Sequence, residues 1–212
     1  MTKLNHKYSK KEEKINIATH AFGLVLSVFA FPFLALKSMY FDGFWKPISL
    51  LIFGLSLIIL YAASTFYHSA TRSKLRRRLN IFDHAAIYVL IAGTYTPFTM
   101  ITLEGKTGWL IFSFTWLFAL TGIILKLFFT GRFDKLSTIM YLLMGWQIVF
   151  VISPLINNLS EQGLFWLFAG GLFYTIGAIL YSIKRIPYNH AIFHFFVLAG
   201  SLSHFTSIYF YI

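Results

Sequence analysis

Apolar residues run along this chain in blocks of about twenty, separated by short polar stretches. Span-length windows pick out segments near 16–36, 47–68, 82–103, 107–129, 137–157, 163–183 and 189–211. At 1.5 Å of rise per residue, each block makes a helix that crosses the roughly 30 Å hydrocarbon layer. The connections are mostly short, so successive helices are expected to run antiparallel in one bundle. No linker, low-complexity stretch or internal repeat divides it. The first fourteen residues end in Lys10-Lys11-Glu12-Glu13-Lys14 and are read as a polar cytoplasmic segment on the membrane surface. Residues 15–212 are then the transmembrane domain. The first apolar run is span-length and carries no small-residue cleavage pattern at its end, so it is read as a span rather than a signal peptide. The predicted fold is an all-α membrane protein, a seven-transmembrane-helix bundle.

Composition agrees and narrows the partners. Of 212 residues, 58% are hydrophobic and only 12% charged, about half the charged share of a soluble domain. A soluble fold of this size cannot hide that much apolar surface. The net charge of +11, from 18 Lys and Arg against 7 Asp and Glu, could suggest nucleic acid. A nucleic-acid binder gathers its basic residues on one folded face, whereas here they sit in short runs between apolar blocks. The expected partner is the lipid bilayer and not nucleic acid. The chain has no Cys, which excludes disulfides, thiolate metal sites and cysteine nucleophiles.

The basic residues also predict orientation. With the N-terminus inside, the inner segments hold Lys3, Lys7, Lys10, Lys11 and Lys14, then Arg72, Lys74, Arg76, Arg77 and Arg78. They also hold Lys126, Arg132 and Lys135, then Lys184 and Arg185. The outer side keeps Lys37, Lys46 and Lys106. So uneven a split predicts a cytoplasmic N-terminus and an outside C-terminus. Trp45, Trp109 and Trp166 near outer span ends fit an interfacial belt.

Polar groups inside spans are expensive and need partners, so the chemistry is sought there. Six of the seven His lie in or at the ends of apolar segments, and Asp83 is the one acid inside a span. The predicted topology puts His20, His68, Asp83, His84, His190 and His194 in the cytoplasmic half of the bundle. His204 lies ten residues past His194, about 15 Å nearer the outer face. His190 and His194 are an i,i+4 pair on one helix face, and Ser64 and His68 are another. Two His from one helix and a third from another make a three-His set. Three nitrogens with an open fourth position form the catalytic zinc arrangement, in which a bound water is acidified to near-neutral pKa. Asp83 would orient that water, accept its proton or hold a ligand imidazole, and Ser64 would bond the water or a substrate carbonyl.

Plainer roles stand beside these. A His pair in an apolar helix also serves as two interhelical hydrogen bonds with no metal. His84 points away from Asp83 on its helix and is read as a snorkelling interface residue. His204 is read as an interhelical hydrogen bond. Glu13, Asn16 and His20 form an i, i+3, i+7 stripe; its plainer reading is an amphipathic helix start that caps and anchors span 1, and its role stays open. The Arg72 to Arg78 cluster is read as a topology signal. Pro32, Pro97 and Pro154 are expected to kink their helices.

Four stretches carry a resemblance: EKINIATHAFG from Glu13, Ser64-Thr65-Phe66-Tyr67-His68, FDHAAIYVLIAGTYTPF from Phe82, and HAIFHFFVLAGSLSHF from His190. In this order they resemble the hemolysin III family, bacterial relatives of the progestin and adipoQ receptors, which include the adiponectin receptors. The similarity runs from about residue 12 to the end. It implies a seven-helix bundle in the bacterial inner membrane, with an intramembrane zinc on the cytoplasmic side. It also implies that His68, His190 and His194 hold that zinc, with Asp83 near the water and Ser64 beside it. The wider superfamily includes alkaline ceramidases, which implies amide hydrolysis of a lipid.

The expected function is therefore a zinc-dependent hydrolase of a ceramide-like lipid amide. The alternative is a non-enzymatic membrane-homeostasis sensor, or a pore-forming, cytolytic protein with structural or regulatory zinc. A metal transporter would need ligands at successive depths, and His204 is the single residue offering one.

Overall fold

The computed structural model describes residues 8–129 and 134–212, so Lys3, Lys7 and Arg132 of the charge count lie outside it. Eight helices follow one another: α1 (Lys10–Ser38), α2 (Trp45–Ser69), α3 (Ser73–Pro97), α4 (Gly105–Phe129), α5 (Asp134–Trp146), α6 (Ile152–Asn158), α7 (Glu161–Ser182) and α8 (Asn189–Tyr211). A π-helical turn, Phe98–Thr102, prolongs α3, and a 3₁₀ stretch, Gln147–Val151, joins α5 to α6. Counted as continuous rods they make seven spans, the third Ser73–Thr102 and the fifth Leu136–Asn158.

Two spans, the first and the third, start six residues or more before their apolar windows. The Ser9 side chain accepts a hydrogen bond from the Glu12 amide and caps α1 at Lys10. Glu12 and Glu13 in the first turn favour the positive end of the helix. The polar run up to Lys14 is thus helical from Lys10 onward. Likewise α3 begins at Ser73 and carries the arginine run as helix. A hydropathy window misses both because charged residues make good helix as long as a buried partner or water takes their charge.

The helices close into a ring. Extensive contacts join α1 to α2, α2 to α3 and α7 to α8, and α8 returns against α1. By contrast α5 touches α3, α4 and α7 only lightly. Of the apolar stretch of the third span, 72% is buried, against 28% for the first, fourth, fifth and sixth, so α3 is the central post. Leu34, Leu50, Phe53, Tyr61 and Phe98 fill the core around it. Phe29, Leu110, Phe128 and Phe150 face outward, as lipid-exposed residues must.

The interrupted helices meet across the bundle. Pro32 sits within the continuous α1, whereas Pro97 marks the switch to the π turn and Pro154 falls in the first turn of α6. A Cβ at Gly108 of α4 would land on the Thr99 carbonyl of the π turn, so only glycine allows this approach. In an apolar layer a broken backbone needs partners from within the protein. Tyr95 supplies them: its hydroxyl accepts from the Ile148 amide at 2.9 Å and donates to the Gly145 carbonyl at 2.6 Å. Gln147 donates to Thr115, and Trp116 donates to Thr96 at 3.1 Å, fastening α4 to both breaks.

Tyr95→Phe leaves two backbone groups of the fifth span unpaired, at about 1–3 kcal/mol for each buried orphan. In mixed-micelle denaturation it is expected to lower stability by about 2 kcal/mol or more. Tyr40→Phe, at a side chain 89% exposed, should leave the curve where it was.

Candidate metal centre

His68 stands in the last turn of α2, and His190 and His194 stand one turn apart at the start of α8. Tyr188, held at φ 56°, turns the chain directly into that helix. All three rings are buried, at 3%, 7% and 2% exposure. His190 Nε2 lies 3.0 Å from His68 Nε2 and 3.1 Å from His194 Nε2, and the three nitrogens all lie within 4.8 Å of one another. Ligands at about 2.0–2.1 Å from a tetrahedral zinc are about 3.3–3.4 Å apart. The two distances from His190 fall within about 0.4 Å of that spacing.

The other ring nitrogens say where the protons are. His68 Nδ1 donates to Glu13 Oε2 at 2.6 Å, which leaves Nε2 as a lone pair. His194 Nδ1 lies 3.3 Å from the Asn16 carbonyl and 3.3 Å from Thr19 Oγ1, whose own proton goes to the Ile15 carbonyl at 2.8 Å. A donor at His194 Nδ1 satisfies both acceptors and again leaves Nε2 bare. His190 Nε2 lies between these two bare nitrogens, and a cation placed there would take a lone pair from all three rings. This donor set fits a metal.

The polar stripe on α1 is the frame of the site. Glu13 touches His68 and also accepts from Arg76 of α3. Asn16 offers its carbonyl to His194. His20 stacks on His194 with centroids 3.5 Å apart and meets Tyr61 edge-on at 5.1 Å. Tyr8 stacks on His190 at 4.5 Å. Both ring nitrogens of His20, both amide atoms of the Asn16 side chain and Ser64 Oγ are buried with no hydrogen-bond partner among the described residues. The Ser64 observation is telling, because Thr65 and Ser69 on the same helix bond back to carbonyls four residues earlier.

A cavity of about 150 Å³ adjoins the cluster, lined at one end by Ser64, Asp83, His190 and His194 and at the other by His204. Leu60, Ile87, Ile91 and Val197 make its walls apolar. Asp83 thus shares the cavity with His190 and His194 without joining the cluster of three nitrogens. His84, read from the sequence as an interface residue turned elsewhere, lines this cavity too; its Nδ1 donates to the Asn80 carbonyl at 2.8 Å and lies 3.9 Å from Asp83. A helical wheel separates neighbours by 100°, but a wide cavity accepts both. His204 donates to the Leu167 carbonyl of α7 at 3.1 Å, the interhelical bond expected of it.

Two residues of the frame carried no clear signal in the sequence. Glu13 lies outside the first apolar window, and Arg76 is one of several basic residues in a run. The usable hint was spacing: Glu13, Asn16 and His20 share one face of span 1, and Arg76 lies two turns before Asp83 on α3.

Comparison with known proteins accords with this architecture. A family model described as Haemolysin-III related matches residues 8–205. The chain is 45% identical over 204 residues to Hemolysin-3 homolog of Bacillus subtilis (strain 168), covering 96% of each protein. It is 43% identical over 202 residues to Hemolysin-3 of Bacillus cereus, covering 95% of this chain and 92% of the relative. Human Monocyte to macrophage differentiation factor is 31% identical over 207 residues, with 95% and 84% covered. No solved structure matches. Seven apolar helices and a match spanning nearly the whole sequence place this chain, a multi-pass protein of the bacterial cell membrane, in the haemolysin-III related family.

Proposed function

We propose that this protein is a zinc-dependent membrane hydrolase that cleaves an amide bond in a lipid. The observation carrying the reading is the convergence of three imidazole Nε2 atoms beside an apolar cavity that also receives Ser64 and Asp83. His68, His190 and His194 would hold the zinc. Zinc in such a three-nitrogen site brings the pKa of a water to about 7.

The remaining chemistry belongs to the chain's own residues. Leu60, Ile87, Ile91 and Val197 receive an acyl chain along the cavity wall. Ser64 Oγ, which bonds no carbonyl of its own helix, donates to the amide carbonyl oxygen and orients it. Asp83 accepts the proton released as the water oxygen bonds to the acyl carbon. It returns that proton to the departing nitrogen as the C–N bond breaks, leaving a fatty acid and an amine. No Lys or Arg lines the cavity among the described residues, and Asp83 is its acidic side chain. A neutral amide or hydroxyl head suits that lining better than a phosphate.

A lytic pore, suggested by the name of the Bacillus relatives, needs a polar path from face to face. Here the ionisable groups Asp83, His190 and His194 gather at one end, and beyond them the cavity offers neutral side chains such as Thr94, Tyr174 and Val197, with no further acid or base but His204 among the described residues. That contrast favours hydrolysis.

Metal analysis of detergent-purified protein should find close to one zinc per chain in the wild type and little in His68→Ala. Wild-type protein free of zinc when purified and reloaded would sink the metal reading. Asp83→Asn should keep its zinc yet release fatty acid from a ceramide-like substrate with kcat lowered by about 10²–10⁴. Undiminished release by Asp83→Asn or His194→Ala would falsify the hydrolase. The inward-facing site also follows from the charge distribution, and the Cys-free chain makes it easy to check. In intact cells an impermeant maleimide is expected to label Lys106→Cys and to spare Lys74→Cys.

A further inference from the structure

Three helices meet at one carboxylate. Glu13 of α1 bonds His68 of α2 through Oε2 at 2.6 Å and Arg76 of α3 through Oε1. Arg76 is itself buried, and its Nη1 donates toward the Tyr67, His68 and Ala70 carbonyls at 3.3–3.4 Å. Those carbonyls lie at the end of α2, where a helix leaves its acceptors unpaired and its dipole favours a cation. The guanidinium also lies over the Tyr67 ring, 4.7 Å from its centroid.

Each contact has a consequence for the histidine cluster. A neutral imidazole carries one proton. With that proton on Nδ1 and directed at a carboxylate, the ring is held at one angle and Nε2 becomes a stronger electron-pair donor. A buried carboxylate without a counter-charge is strongly unfavourable, so Glu13 keeps this position only while Arg76 is beside it. Arg76 in turn is fixed by the carbonyls that end the helix carrying His68. Asp83 lies seven residues, about two turns, further along α3. The contact that orients His68 therefore also sets the rotation and height of the helix that presents Asp83 to the cavity.

We propose that Glu13 and Arg76 are a positioning pair: Glu13 orients His68 for metal binding, and Arg76 holds Glu13 in place while registering α3, and with it Asp83, against the cluster. Neither residue touches metal or substrate. The inference rests on the three histidines holding zinc, and it assigns a role to a glutamate and an arginine whose sequence context suggested only anchoring and topology.

The test uses the full-length protein in detergent and zinc itself as the probe. Zinc affinity is measured by competition with a chelator, and unfolding temperature is measured on metal-free protein. Glu13→Gln is expected to weaken zinc binding by about 10–100-fold and to alter the visible spectrum of the cobalt-loaded protein. Lys37→Met is the structural control. Lys37 caps α8 at the far end, donating to the Ile208 and Tyr209 carbonyls at 3.3 and 2.5 Å. Its loss should lower the unfolding temperature at least as much as Glu13→Gln does and leave zinc affinity at the wild-type value.

Glu13→Asp, which keeps the charge but shortens the reach to His68, should also weaken zinc and serves should Glu13→Gln not fold. The double variant Glu13→Gln/Arg76→Met should bind zinc no more weakly than the worse single variant, as expected of residues acting through one another. Wild-type zinc affinity in both Glu13→Gln and Glu13→Asp overturns the positioning role while leaving the metal centre standing. Absence of zinc affinity in the wild type overturns the metal centre, and the positioning role with it.

Discussion

A carboxylate enclosed by apolar helices has to be neutralised where it stands, and Glu13 meets that demand by holding a histidine and an arginine together. Transfer of an unpaired charge from water into such surroundings costs several kcal/mol even after relaxation. The charge thus permits few arrangements of α1, α2 and α3, and those three helices make some of the most extensive contacts in the bundle. The fourth participant, α8, is brought in along the same face of α1, where His194 meets the Asn16 carbonyl and stacks on His20. The histidine cluster is thus assembled where four helices have polar reasons to meet.

The opposite wall of the cavity is built on different terms. The fifth span is α helix, then 3₁₀, then α helix, and it faces α3 just before the break at Pro97. Its backbone is completed by Tyr95, a side chain from α3, and not by its own ladder. Gly108 lets α4 approach close enough to support this join. Irregular backbone persists at membrane depth when the protein supplies its hydrogen bonds, and here that irregularity borders the cavity.

Much of this was legible in the chain because the bilayer enforces a simple code. Span length, short loops and the sorting of Lys and Arg predict seven antiparallel helices, and seven spans are found. The i,i+4 spacing of His190 and His194, with His68 at the matching depth, predicts a cluster, and their nitrogens do converge. What stayed hidden has a common cause. Hydropathy treats charged residues as outside the membrane, so it clipped α1 before Glu13 and α3 before Arg76, although an ion pair lets both be buried. Helix periodicity likewise turned His84 away from Asp83, because a period gives direction around an axis and not the width of the space beside it. Tyr95 was legible as one of many aromatic residues; its task depends on a break two helices away in sequence, which no local pattern encodes.

The two walls therefore divide the work. Ligands held on closely packed helices keep their geometry, which a metal site needs, since an ångström of looseness would spoil the convergence of three nitrogens. The opposite wall carries no such demand, and its contacts differ in kind. In this bundle the ion pairs of Glu13 lie among α1, α2 and α3, while α5 meets its neighbours more lightly, one of its hydrogen bonds running from Tyr141 to the His84 carbonyl at 3.0 Å. Displacing the fifth span would unpair the hydrogen bonds that Tyr95 makes to Gly145 and Ile148, whereas displacing α1 would strand a carboxylate and a guanidinium. The histidine end is accordingly the more firmly fixed side of the bundle, since separating buried charges costs more than unpairing neutral groups.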